Sequence, residues 1–137
     1  MRIRIIYLLI AIMLLTACGV GSGAKAAAGD PASGKKLFDG QAPMANASAP
    51  ACSTCHAIEP GLDSGSGQSL SNIGSRAATA VADQTAEAYL RTSILDPDAY
   101  LASGYQEGIM YRGYAQALTS QQVDDLVAYL LTLKSDR

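Results

Sequence analysis

Five consecutive residues, Cys52-Ser53-Thr54-Cys55-His56, have the types and spacing to hold a cofactor covalently. Two cysteines separated by two residues lie about one helical turn apart, so each sulfur can form a thioether with one of the two vinyl groups of a haem. A histidine directly after the second cysteine can then bind the iron as an axial ligand. The pattern C-x-x-C-H predicts the attachment of a c-type haem.

Two other chemistries use the same residue types. A C-x-x-C pair is also the redox dithiol of thioredoxin-like proteins, but it then follows a strand in a βαβ pattern, and residues 47–51 have no strand pattern. A structural zinc site needs four ligands, whereas only Cys52, Cys55 and His56 are clustered, and His56 is the only histidine. We therefore predict haem attachment, with a haem-free thiol or zinc module as the alternative.

The N-terminal residues have the pattern of an export signal. Two arginines precede an apolar run over 5–15, which is the length of a signal-peptide core and shorter than the roughly 20 residues that span a bilayer. Residues 15–18, with the sequence LTAC, resemble a bacterial lipobox. This resemblance predicts that Cys18 becomes the acylated N-terminus. The alternative is an uncleaved anchor helix that extends to Val20.

These patterns divide the chain into three parts. We predict a lipoprotein signal peptide over 1–17, a lipidated cysteine with a flexible tether over 18–30, and one small domain over 31–137. Without the signal peptide the chain keeps 8 basic and 12 acidic side chains, a formal charge of −4. This charge argues against nucleic-acid binding and favours a redox partner with a basic patch, while the acyl chains would hold the protein at a membrane.

Two helices are predicted before residue 100. Asp30-Pro31 combines a good N-cap with a residue suited to the first helical position, and it opens a short helix over 31–39. A second helix over 85–95 has Thr85 as its N-cap. Asp96-Pro97 ends this helix, because proline disfavours the helical conformation of the residue before it.

The longest predicted helix is C-terminal. Thr119 and Gln122 form a capping box, and the helix continues to about Leu133. Its apolar residues recur at i, i+3, i+4, i+7 and i+8, which gives one buried stripe. Asp124 and Asp125 lie off this stripe and are expected to face water.

A six-coordinate haem needs a second axial ligand, and the chain offers no second histidine. Two methionines follow the predicted signal peptide. Met44 lies in an Ala-, Pro- and Ser-rich loop over 40–51, and Met110 lies in a tyrosine-rich loop over 98–114. Either thioether could in principle bind the iron.

The domain over 31–137 resembles the class I cytochromes c. The resemblance runs through Gly34, Phe38, the haem motif, Gly67-x-Ser69-Leu70, Met110 and residues 118–130. It implies an all-α fold whose helices wrap around one covalently bound haem c. It also implies a crossing of the N- and C-terminal helices at the small residue Gly34, with Tyr129 as the neighbour on the C-terminal helix.

The resemblance implies further site residues. Met110, 54 residues after His56, stands where the family carries its distal methionine, with Tyr111 in place of the usual proline. Gln68 replaces the proline of the family's Gly-Pro-x-Leu, where a backbone carbonyl accepts the other N–H of the axial histidine. Arg76 could pair with a haem propionate or be a solvated surface arginine.

Residues 93–100 and 104–110 are similar to cytochrome c domains of bacterial respiratory complexes, namely the haem c domain of caa3-type oxidases and mono-haem lipoprotein subunits of alternative complex III. This similarity implies a non-enzymatic carrier of single electrons in a respiratory or photosynthetic chain. It would sit on the outer, periplasmic or extracytoplasmic face of the bacterial cytoplasmic membrane, beside a quinol-oxidising complex or terminal oxidase. The alternative is a haem peroxidase or ligand-binding haem protein with an open sixth position, but no distal histidine is available.

Overall fold

The structure, a computed structural model, describes residues 28–62 and 66–134. Within these ranges the chain forms helices and no strand, in agreement with the predicted all-α fold. The five α-helices are α1 (Pro31–Phe38), α2 (Ile73–Arg76), α3 (Ala86–Leu95), α4 (Tyr114–Ala117) and α5 (Ser120–Thr132), and two 3₁₀ turns cover Cys52–Thr54 and Ala77–Thr79.

The predicted signal peptide, Cys18 and residues 19–27 of the predicted tether lie outside the described residues. In the part of the chain that is described, no helix combines the length and the apolar character needed to cross a membrane.

The three longer helices begin at the predicted caps. The Asp30 carboxylate accepts hydrogen bonds from the backbone N–H groups of Ala32 and Ser33, which starts α1. The Thr85 hydroxyl accepts one from Ala88 at the start of α3, and Thr119 makes the full capping box with Gln122 at the start of α5. The predicted bounds of these helices are therefore correct to within one residue.

The four-residue helices α2 and α4 were not predicted, because one turn of helix is too short to show an apolar period. Neither has a side-chain cap: Asn72 precedes α2 and Gly113 precedes α4 without a capping hydrogen bond. These two short helices are stabilised by contacts with the surrounding structure. Gly74 of α2, for example, donates its N–H to the carbonyl of Leu133 at 2.8 Å.

The crossing of α1 and α5 is the most extensive helix–helix contact in the described structure. Gly34 faces α5 so closely that a Cβ atom there would overlap the Asp125 carbonyl and lie 2.8 Å from the Cβ of Tyr129. The rings of Phe38 and Tyr129 pack edge to face with centroids 5.5 Å apart. The predicted crossing, with Gly34 and Tyr129 at its centre, is confirmed.

The core lies between α1, α3 and α5. Phe38 of α1 and Leu126 of α5 are the largest fully buried side chains, each 1% exposed. The buried cluster comprises Leu37, Phe38, Met44, Ile73, Ala77, Leu90, Ile94, Tyr114, Leu118, Val123, Leu126, Val127, Tyr129 and Leu130.

The expectation that Asp124 and Asp125 face water is wrong. Asp125 is only 7% exposed, and its Oδ1 accepts hydrogen bonds from the backbone N–H of Asp30 and from Gln121, both at 2.8 Å. Asp124 forms an ion pair with Arg91 of α3. A helical pattern shows which residues lie off the apolar stripe, but the segment before α1 and the side chain of Arg91 cover these two positions.

We expect Gly34→Ala to lower the free energy of unfolding by about 1–3 kcal/mol, the usual cost of overpacking. The added methyl group would overlap the Asp125 carbonyl, so α1 and α5 would have to separate. Chemical denaturation of the purified protein measures the change. Lys36→Ala, at an exposed position of α1, serves as the control and should change stability by no more than about 0.5 kcal/mol. A Gly34→Ala variant as stable as the parent would contradict the close crossing.

Candidate functional site

The C-x-x-C-H segment folds into a tight turn. Its first residues, Cys52–Thr54, form a 3₁₀ turn, and the N–H groups of Cys55 and His56 both donate to the Cys52 carbonyl, at 3.1 and 3.0 Å. Ser53 and Thr54 are exposed, whereas the two cysteines and the histidine line one cavity. The spacing of the motif therefore places its three chemically active side chains on the lining of the same cavity.

This cavity has a volume of about 680 Å³, which is within the range of roughly 300–1,000 Å³ typical of cofactor sites. Its walls come from α1, the motif, α3, the loop before α4, and α5. They are mostly apolar, as cofactor sites generally are. Members of the lining include Phe38, Cys52, Cys55, His56, Leu70, Leu90, Ile94, Met110, Tyr114, Leu126 and Leu130.

The orientation of His56 is set by the backbone of the next segment. Its Nδ1 lies 2.8 Å from the carbonyl oxygen of Gln68. A carbonyl can only accept, so Nδ1 donates this hydrogen bond. In the neutral imidazole the lone pair is then on Nε2, which is the nitrogen available to bind a metal. The hydrogen bond expected at this position is present, although Gln68 replaces proline.

Gly67 is packed directly against the imidazole. A Cβ atom at this position would lie 2.7 Å from Cε1 and 2.8 Å from Nδ1 of His56, and 2.6 Å from the Cys55 carbonyl oxygen. Only glycine lets the backbone approach the ring closely enough for the Gln68 carbonyl to accept its proton.

The surroundings of Cys52 favour an uncharged sulfur. Burial raises the pKa of its thiol from 9.0 to about 11, so a thiolate, which a redox dithiol or a zinc ligand would use, is disfavoured there. A thioether carries no charge and suits this environment. Tyr114, at the start of α4, is also neutral because burial raises its pKa, and its hydroxyl donates to the Pro50 carbonyl at 2.8 Å, just before the motif.

The two candidate methionines differ in their surroundings. Met110 is half-buried and lines the cavity that Cys52, Cys55 and His56 also line. Met44 is 8% exposed and belongs to the hydrophobic core cluster, and it is not part of the cavity lining. Met110 thus lines the same cavity as the haem motif and Met44 does not, while ligation of the iron by Met110 stays a prediction.

Arg76 lies beside the cavity and does not line it. Its Nη2 donates to the Ser69 carbonyl at 2.6 Å, and the residue lines a smaller depression of about 330 Å³ together with Gln68, Tyr89 and Tyr100. Since Gln68, Tyr89 and Tyr100 also line the main cavity, the two spaces are neighbours. Pairing of Arg76 with a haem propionate stays a prediction.

The family model of cytochrome c matches residues 31–134, which is most of the chain. The chain belongs to the cytochrome c family. It has the all-α fold of the class I members, and this family binds haem c through the motif that Cys52, Cys55 and His56 form here. No curated protein matches the chain.

The lining of the cavity fits a covalently attached haem. It offers two cysteine sulfurs for thioether bonds, one imidazole nitrogen and one thioether sulfur within mostly apolar walls. Within residues 28–62 and 66–134, no group of three or more His, Cys, Asp or Glu side chains could hold a metal ion directly. Cys52, Cys55 and His56 therefore do not converge as zinc ligands would.

Several residues of the site were not found from the sequence. Five of the six tyrosines within the described residues line the haem cavity of this cytochrome c: Tyr89, Tyr100, Tyr105, Tyr111 and Tyr114. The sequence signal that could have found them is the high density of tyrosine over 98–114. Tyrosine is amphipathic, so it suits a cavity wall that has an apolar inner side and a solvent-exposed outer side.

We expect Gly67→Ala to displace the imidazole of His56 and to lower stability by about 1–3 kcal/mol, because the methyl group has no space beside the ring. Denaturant unfolding and the haem absorbance per protein molecule measure the two effects. Ser69→Ala is the neighbouring control, since it leaves the Gln68 carbonyl in place. Equal haem content and equal stability in Gly67→Ala and the parent would argue against the tight packing at this glycine.

Proposed function

We propose that this cytochrome c is a membrane-anchored mono-haem electron carrier of a respiratory or photosynthetic chain. The observation that supports it best is the single cavity lined by Cys52, Cys55, His56 and Met110. When bound, the haem would supply an iron that accepts one electron from a donor protein and passes it to an acceptor protein, so no substrate would be chemically transformed.

Each residue has a defined part in this proposal. Cys52 and Cys55 would hold the haem through thioether bonds. His56, whose Nδ1 lies 2.8 Å from the Gln68 carbonyl oxygen, and Met110 would be the protein ligands of its iron. A His–Met ligand pair and an apolar surrounding both raise the reduction potential relative to more polar ligand sets.

An electron carrier is favoured over a peroxidase or ligand-binding haem protein. Peroxidase chemistry requires an open sixth position and a nearby group that can transfer protons. Met110 would occupy that position, and a thioether has no proton to give. The single histidine of the chain already donates its Nδ1 proton to a backbone carbonyl.

The proposed membrane anchor and the proposed redox partner are based on sequence patterns. The proposed lipoprotein signal peptide over 1–17 would leave an acylated Cys18, followed by a tether of small residues. Such an anchor would hold the haem domain at the outer face of the cytoplasmic membrane. The formal charge of −4 on the processed chain favours a partner with a basic patch. The similarity of residues 93–100 and 104–110 to domains of respiratory complexes supports a quinol-oxidising complex or terminal oxidase as that partner.

We expect Met110→Leu to abolish the weak far-red sulfur-to-iron absorption band of the ferric protein and Met44→Leu to retain it. Leucine has a similar volume to methionine, so each variant removes the sulfur at a packing cost below about 1.5 kcal/mol. Optical spectra of both variants and the parent, oxidised and reduced, make the comparison. Loss of the band in Met44→Leu instead would overturn the ligand assignment. A parent without the band would point to an open sixth position and to ligand binding or peroxidase chemistry.

We expect Cys18→Ser to release the haem protein from the membrane fraction, because two or more acyl chains are what makes such anchoring stable. Membrane fractionation with detection of covalent haem gives the distribution. Retention of the variant in the membrane would favour the uncleaved anchor helix.

Detergent extraction of the parent followed by size fractionation tests the partner: a fixed subunit elutes with a haem-containing complex, and a mobile carrier elutes alone.

A further inference from the structure

The segment that carries Met110 is held at both ends by one carboxylate. Oδ1 of Asp98 accepts a hydrogen bond from the backbone N–H of Gly108 at 2.8 Å, and Oδ2 pairs with Nε of Arg112. Gly108 and Arg112 stand two residues before and two residues after Met110. Asp98 therefore closes a loop with the methionine at its centre.

Asp98 is itself connected to the core. It lies three residues after the end of α3, and the turn between them is closed by a hydrogen bond from the Ala99 N–H to the Asp96 carbonyl at 3.1 Å. Leu90 and Ile94 of α3 are buried in the core and line the haem cavity. The carboxylate thus ties the Met110 segment to a helix that forms the cavity wall.

Packing against the rest of the described chain gives this segment limited support. Ile109, directly before Met110, is 62% exposed, so its side chain buries little apolar surface against the described residues. Tyr111 also lacks the fixed φ that a proline would provide. The Tyr111 ring packs edge to face on Tyr114, with ring centroids 5.1 Å apart.

The Asp98 carboxylate is ionised when it makes these contacts. The Gly108 N–H and the Arg112 guanidinium hold the pKa of Asp98 below its usual value of 3.8, against a smaller opposing effect of desolvation. At neutral pH both hydrogen bonds are therefore charge-assisted, which makes them roughly twice as strong as neutral ones. Glu107, the other carboxylate near Arg112, is 77% exposed and lies farther away at 3.9 Å.

We propose that Asp98 is a positioning residue that keeps Met110 in place as an axial ligand by fixing Gly108 and Arg112. This inference rests on the proposed ligation by Met110 and adds the reason why that ligation persists in a chain that lacks the usual proline. Without the Asp98 contacts, the loop would populate conformations in which the methionine sulfur has left the iron. An external ligand competes only for those conformations, so its apparent affinity reports their population.

The test is a titration of the ferric haem protein with imidazole, followed by the sulfur-to-iron band. We expect Asp98→Ala to raise the apparent imidazole affinity about tenfold, because the affinity scales with the fraction of open loop. Asp98→Asn should have a smaller effect, since an amide oxygen can still accept from Gly108 but cannot pair as an anion with Arg112. Hydrogen exchange at the Gly108 amide should accelerate in Asp98→Ala.

Asp124→Asn is the matched control. It also removes the carboxylate of an ion pair, but one that joins α5 to Arg91 of α3. Its imidazole affinity should stay within about twofold of the parent, since this ion pair includes no residue of the segment that carries Met110. If Asp124→Asn and Asp98→Ala raised the affinity equally, the effect would be one of general stability and the positioning role would be overturned.

Two other results would also be decisive. An imidazole affinity unchanged by Asp98→Ala, in a protein whose parent shows the sulfur-to-iron band, would overturn the role of Asp98 and leave Met110 as the ligand. A parent that lacks the band would overturn the ligation by Met110, on which the role depends.

If Asp98→Ala does not accumulate as a haem protein, Arg112→Gln tests the other end of the contact at an exposed side chain. Its expected increase is about threefold, and no increase would overturn the proposal.

Discussion

The close crossing of α1 and α5 is the constraint on which the rest of this cytochrome c depends. Two helix backbones can approach this closely only because Gly34 has no side chain, and the approach brings Phe38 of α1 and Leu126 of α5 together as the centre of the core. The same two residues form part of the cavity wall. The buried carboxylate of Asp125 reinforces the crossing by accepting the backbone N–H of Asp30, which fixes the point where the chain enters α1.

Backbone groups make the contacts that orient the histidine at the haem site. The proximal histidine is oriented by a carbonyl, and Gly67 allows that carbonyl to come close enough. The side chain of residue 68 is not needed for this contact, which explains how glutamine can replace the family's proline there. At the second proline position, now Tyr111, the restraint comes instead from the carboxylate of Asp98, through its contacts before and after Met110.

The electrostatic character of the cavity agrees with a carrier of single electrons. Its walls are mostly apolar, and burial keeps both the Cys52 sulfur and the Tyr114 phenol uncharged. Two charged residues, Asp98 and Arg112, also line the cavity, and their opposite charges pair with each other.

The sequence by itself determined what depends on neighbours along the chain. The caps at Asp30 and Thr119, the C-x-x-C-H turn and the apolar stripe of α5 involve residues within a few positions of one another, so their physical effect is visible in the pattern. Only the tertiary structure decided which methionine lines the cavity, that Asp125 is buried, and that Arg76 lies beside the cavity. It also brought Asp98 to Gly108, ten residues away with no repeating pattern between them. These outcomes depend on which distant elements cover a position. Local spacing shows which face of a helix is buried, but it does not show which residues of other elements cover that face.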